Sequence, residues 1–110
     1  MHITLREDPD ATCLVVDGEL DLSTAESLYE YAQRTLRDRS PRRLRVDAAR
    51  LTFCDSSGIH ALVRIHAEAT ARGALFHLNN VHGAVRRVLA ITGVLTALTT
   101  PSDASPPSGR

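Results

Sequence analysis

The chain has 110 residues, 43% of them apolar but only 4% aromatic, and its 13 basic residues, all Arg, balance 13 acidic ones to a net charge of zero. That length predicts one domain with a core of Leu, Val, Ile and Ala that needs neither disulfides nor metal. The charge balance argues against binding nucleic acid or an anionic membrane through bulk electrostatics, and no apolar run approaches the ~18 residues that span a bilayer.

Ile3 and Leu5 alternate with polar residues, as in a half-exposed strand, and Asp8-Pro9-Asp10 reads as a turn. Cys13-Leu14-Val15-Val16 is apolar on both faces, a central strand closed by Asp17-Gly18. Asp21-Leu22-Ser23-Thr24 offers capping residues to a helix whose apolar face is Ala25, Leu28, Ala32 and Leu36. Glu26 and Glu30 lie near its start and Arg34, Arg37 and Arg39 near its end, as the helix dipole favours. Ser40-Pro41 stops it, and Leu44-Arg45-Val46-Asp47 is the next strand.

Asp55-Ser56-Ser57-Gly58 opens a second helix running to about Ala71, with Ile59, Leu62, Val63 and His66 on one side and Arg72-Gly73 as its stop. Ala74 to Leu78 is a strand and Asn79-Asn80 a turn and cap. Val81, Val85, Val88, Leu89 and Thr92 form a third helical face ended by Gly93, and Val94 to Thr99 can add a short strand. The predicted fold is therefore α/β, a mixed sheet packed against helices in the order β-β-α-β-α-β-α(-β). Residues 1–100 form the domain, and the Pro- and Ser-rich tail 101–110 is expected to be disordered.

Little here resembles catalysis. Asp-Ser-Ser-Gly is not the Gly-x-Ser-x-Gly elbow of hydrolases, and no histidine stands in a nucleophile or metal motif. Cys13 and Cys54 sit among apolar neighbours, where free cysteine behaves as a small buried hydrophobe. No catalytic residue, cofactor or metal is expected. Without a charged-then-apolar leader, a cytoplasmic protein is the default.

The Ser pair has two readings. Asp55 or Ser56 can serve simply as the helix N-cap, worth ~1 kcal/mol. Alternatively, Ser57 lies in a first turn whose unpaired N–H groups and positive dipole end tolerate an added phosphate dianion. Taken with Gly18-Glu19-Leu20-Asp21 and Thr92-Gly93-Val94-Leu95, the motif Asp55-Ser56-Ser57-Gly58-Ile59 resembles the STAS family, over about Ile3 to Leu98. These are the domains of bacterial anti-sigma factor antagonists and related sulfate transporters.

The resemblance implies an antagonist that binds an anti-sigma factor serine kinase and so releases a sigma factor. Phosphorylation of Ser57 switches it off, and a serine phosphatase resets it. It implies that Asp55 and Ser56 shape the helix start, that Asp21 lies beside it, and that Ser23 and Thr24 cap the first helix. Gly58, Ile59, Ala61 and Leu62 would belong to the docking helix, unless Leu62 faces the core. The family usually carries a small residue where this chain has His60, three residues after Ser57 and so on the phosphate's face. His60 can pair with the phosphate or simply be a tolerated surface residue. The implied state is a monomer or weak dimer with no direct nucleic-acid or membrane partner. The alternative is a non-switching STAS scaffold subunit of a larger stress-signalling or transport assembly.

Overall fold

Pro9 and Asp10 fold the chain back on itself, so that β1 (His2–Asp8) runs antiparallel to β2 (Ala11–Leu20), with Asp8 opposite Ala11 and His2 opposite Asp17. In the computed structural model, which describes residues 1–100, α1 (Ala25–Arg39) then carries the chain back to lay β3 (Arg43–Cys54) parallel to β2. The second crossover, α2 (Ser56–Ala71), places β4 (Leu75–Asn79) parallel to β3, and α3 (Gly83–Ile91) and α4 (Leu95–Thr99) follow. The sheet order is β1-β2-β3-β4. Parallel neighbours need a long crossover, and both are helices, as the alternating periodicity requires. The expected disorder of 101–110 lies outside the described residues.

Register puts Leu5, Leu14, Val46 and Leu78 in one cross-strand row, and Thr12, Leu44 and Phe76 in another. Leu14, Val46, Leu78, Leu44 and Phe76 are fully buried, and Leu28, Ala32 and Leu36 of α1, Leu62 and Ile65 of α2, Leu89 of α3 and Leu98 of α4 join them in one core. The intervening row, Arg6-Cys13-Arg45-His77, lies on the opposite, polar face of the sheet. There an Arg6 guanidinium N–H reaches the Cys13 sulfur at 3.5 Å, and Arg45 bonds Asp10 at 2.7 Å. Exposed pairs like the latter add little stability.

Several expectations are corrected. β2 does not stop at Asp17-Gly18 but runs on to Leu20, with register shifts between Val15 and Asp17 and between Gly18 and Glu19. Gly18 has φ +122, so a glycine that looks like a stop instead lets the strand bulge and continue. The buried face of α2 is Gly58, Ala61, Leu62, Ile65 and Ala69; Val63 is exposed, and His66 lies at the core's edge, its ring against Phe76 at 5.4 Å. Small residues let this side approach the sheet more closely than the larger apolar ones beside it. Of the expected turn and cap at Asn79-Asn80, Asn79 is the last residue of β4 and Asn80 bends the chain with φ +61, and neither caps α3: Asn80 Nδ2 donates to Asp47 at 2.9 Å, while His82 stands at the N-cap.

The optional last strand is a helix. Val94 and Leu98 are spaced i, i+4, and the Leu98 N–H donates to the Val94 carbonyl at 3.1 Å. Leu98 is 1% exposed, so a short terminal helix seals the core beside β4. Leu98→Ala is expected to cost about 2–5 kcal/mol, the usual range for emptying a buried leucine site, read as a lowered urea midpoint.

Candidate functional site

Leu20 and Cys54, the last residues of β2 and β3, are partners in the parallel register. The loops that follow, Asp21 to Thr24 and Asp55, therefore leave the sheet side by side, at the carboxyl ends of the strands where open α/β sheets build their sites. The Asp55 N–H donates to the Leu20 carbonyl at 3.2 Å, which binds the two exits together.

Asp55 is the N-cap of α2: its backbone is extended and its carboxylate accepts the Gly58 N–H at 3.1 Å. The N–H groups of Ser56 and Ser57 remain as the open donors of the first turn. Ser56 is exposed and Ser57 half-buried. Among the described residues the Ser57 hydroxyl has no hydrogen-bond partner, so the capping work falls to Asp55 and leaves Ser57 unengaged.

Gly58 has a different task. A Cβ built on it would stand 2.7 Å from the Leu20 carbonyl oxygen and 2.8 Å from both Cys54 Sγ and Leu20 Cγ. Backbone cannot yield as a flexible side chain can, so only glycine lets α2 lie this close to the strand ends. The resemblance counts Gly58 and Ala61 among the partner-binding residues of the docking helix, but both are buried, Ala61 at 3%, and Leu62 is wholly in the core. Ile59 is half-buried and His60 exposed, so these two, with Ser56 and Ser57, are what the start of α2 offers outward.

The neighbouring loop is held by its own side chains. Asp21 Oδ1 accepts from the Ser23 N–H at 2.9 Å and from the Ser23 hydroxyl at 2.7 Å. Those bonds, led by the Ser23 hydroxyl, hold the Asp21 carboxyl below its usual pKa. The Thr24 hydroxyl accepts the Asp21 N–H at 2.9 Å and donates to the Glu19 carbonyl at 2.8 Å. Neither Ser23 nor Thr24 caps α1 as expected; Thr24 occupies the N-cap position without a side-chain cap bond. Their hydroxyls build the loop instead.

That loop thrusts Leu22 into solvent at 81% exposure, and Phe53, opposite Glu19 at the end of β3, is 45% exposed. Sequence reasoning missed both. The signal for Leu22 was available: an apolar residue among capping residues, outside the Ala25-Leu28-Ala32-Leu36 stripe. Leu22, Ala25 and Glu26 on one side and Ser57, His60, Ala61 and Arg64 on the other line a groove of about 190 Å³ between α1 and α2. The site thus combines an unengaged hydroxyl, the exposed Leu22 and a groove of mixed polar and apolar lining. Among the described residues no cluster of His, Cys, Asp and Glu could hold a metal ion.

Both cysteines are buried, as expected. Burial, and then the neighbouring Asp55 charge, push the Cys54 thiol up to about 11. The folded chain keeps this proton longer than the unfolded one does. The stability it contributes is complete below pH 9.0, where a free thiol titrates, and is lost as pH rises through about 11. Cys54→Ala should flatten that alkaline decline in urea midpoints measured against pH. Gly58→Ala is expected to cost about 1–3 kcal/mol through overpacking, again seen in the urea midpoint.

The family described as "Mlab, STAS domain" matches residues 3–100. The fold is shared with an anti-sigma factor antagonist from Mycobacterium paratuberculosis, with TM-score 0.78 and 23% identity over 90% of this chain and 82% of that one. It is shared with the anti-sigma factor antagonist SpoIIAA in its unphosphorylated form, with TM-score 0.65 and 21% identity over 82% and 83% of the two chains. A sulfate transporter family protein from Wolinella succinogenes aligns with TM-score 0.66 and 19% identity over 84% and 82%. With nearly every described residue inside the family match, and the strand and helix order of its relatives, the chain belongs to the STAS family.

Proposed function

We propose that this chain is an anti-sigma factor antagonist. Unmodified, it docks on an anti-sigma factor serine kinase through the Asp21–Thr24 loop and the start of α2, and a sigma factor is released. The observation that carries this reading is the Ser57 hydroxyl, unengaged and half-exposed beside the rigid loop that projects Leu22. An apolar side chain held out at 81% exposure suits burial by a partner, and its fixed loop spares most of the ordering entropy that binding normally costs.

The kinase then turns on its own ligand. Ser57 Oγ attacks the γ-phosphoryl group of the kinase's bound nucleoside triphosphate, its proton passes to a base of the kinase, and a nucleoside diphosphate leaves. The product carries about −1.5 to −2 charges at the centre of the docking surface. A serine phosphatase hydrolyses the ester and restores the hydroxyl. The chain supplies the acceptor and no catalytic group, so it is a substrate and binding partner rather than an enzyme. It acts in the cytoplasm as a monomer or weak dimer. It needs no cofactor and touches neither nucleic acid nor membrane directly.

A second reading has its own support in the likeness to the sulfate transporter family protein: a scaffold subunit of a larger stress-signalling or transport assembly, with Ser57 left unmodified. Copurification followed by mass spectrometry of the Ser57 peptide separates the two. A kinase partner with a phosphorylated peptide supports the antagonist, and a stable assembly with unmodified Ser57 supports the scaffold.

Ser57→Asp is expected to weaken kinase binding at least about 100-fold, near 3 kcal/mol, in calorimetric titration, while thermal melting stays within about 2 °C. Unchanged affinity would refute the switch. Leu22→Ser should lower affinity about tenfold, close to 1.4 kcal/mol, with melting again unaffected.

A further inference from the structure

The groove between α1 and α2 sets an arginine, a histidine and a glutamate beside Ser57. Ser57, His60 and Arg64 line it at spacings of three and seven along α2, facing Glu26 of α1. Seven residues return to within about 20° of the same side of a helix and rise about 10.5 Å. Long helical side chains lean toward the N-terminus, so His60 and Arg64 reach toward Ser57 rather than away from it.

Arg64 is at present committed elsewhere, but weakly. Its Nη1 bonds Glu26 Oε1 at 3.1 Å, with both side chains substantially exposed, and its guanidinium carbon stands 3.7 Å from the centre of the Tyr29 ring. Of the other acids near the strand ends, Asp21 is occupied by Ser23 and Asp55 by the Gly58 N–H, while Glu19 stands on β2 opposite Phe53. Farther along α2, Glu68 bonds Arg72. Arg64 is therefore the cation of the groove, held by one exposed carboxylate bond and by stacking on the Tyr29 ring, a stacking that the guanidinium can keep while its bonding edge turns.

From this arrangement we propose an intramolecular phosphate clamp, which rests on the reading of Ser57 as phosphoacceptor. When Ser57 carries a phosphoryl group, Arg64 leaves Glu26 and bonds the phosphate, sliding over the Tyr29 ring, and His60 closes the side of the groove. A phosphate dianion outcompetes one carboxylate for a guanidinium fork, because it offers more charge and more acceptor oxygens. Glu26 is left as an unpaired carboxylate on α1. The modification thereby changes the surface of both helices that border the groove, not of the serine alone.

The test needs no kinase. Phosphoserine is incorporated at position 57 during translation, and the phosphate is titrated by phosphorus NMR. Arg64→Gln should raise the second phosphate pKa by about 0.5–1 unit relative to the unsubstituted chain, because a nearby cation favours the dianion. Glu26→Gln should lower it, since Arg64 then has no competing partner. Repeating both in a His60→Gln background removes the imidazole from the comparison, and His60→Gln alone should give a smaller rise than Arg64→Gln. Circular dichroism confirms that each variant is folded. The clamp is overturned if phosphorus titration curves coincide in the unsubstituted, Arg64→Gln and Glu26→Gln chains. That result would leave kinase recognition of Ser57 standing, and a kinase that ignores Ser57 would leave the NMR result standing.

Discussion

The close approach of α2 to the strand ends at Gly58 is the constraint from which the rest of the site follows. Without a side chain there, the helix rests on the Leu20 carbonyl and on Cys54 Sγ. The β2–β3 pairing that ends at Leu20 and Cys54 brings Asp55 within hydrogen-bond reach of Leu20, so two loops 35 residues apart in the chain leave the sheet as one surface beneath the helix. The Gly58 contact also sets the rotation of α2. Turning Gly58, Ala61 and Ala69 inward directs Ser57, His60 and Arg64 to the groove shared with α1.

Much of this was legible in the sequence. The apolar stripe of α1 needs only 3.6-residue periodicity, and Ala25, Leu28, Ala32 and Leu36 are all buried. The order of strands and crossover helices followed from alternating periods. The errors have physical causes. The face of α2 was misread because large apolar residues were weighted over small ones, whereas a helix lying close to a sheet buries glycine and alanine. Val94 to Thr99 was misread because a short apolar run carries no period of its own, and the choice between strand and helix rests on packing against β4. Within the site, short motifs located Ser57 and the Asp21 loop. Capping rules gave Ser23 and Thr24 the wrong partners, since hydroxyls that can cap a helix can equally tie a turn.

The charged residues are divided in keeping with this. At the turn between β1 and β2, acids and arginines answer each other: Arg6 with Asp8, Arg45 with Asp10, and Arg39 of α1 with Glu7. The opposite end of the sheet is built mainly of hydroxyls, backbone groups and two projecting apolar side chains. A chain with no net charge therefore keeps at this end acids bonded to hydroxyl and backbone donors, Asp21 to Ser23 and Asp55 to the Gly58 N–H, and one exposed ion pair, Arg64 with Glu26. The arginine-rich end gives the fold its polar finish, and the hydroxyl-rich end stays open to change.

The bond between Asp55 and Leu20 bears on when the surface first exists. It joins segments that meet only after α1 has crossed over and β3 has paired with β2, a contact of long sequence separation that forms late for entropic reasons. A nascent or partly folded chain carries the serine but has no adjoining loop, no projecting Leu22 in place and no groove. Any partner that reads the whole surface is blind to such a chain. The junction thus ties the surface to completed folding: the loop, the projecting Leu22 and the groove come together only once the tertiary structure is finished.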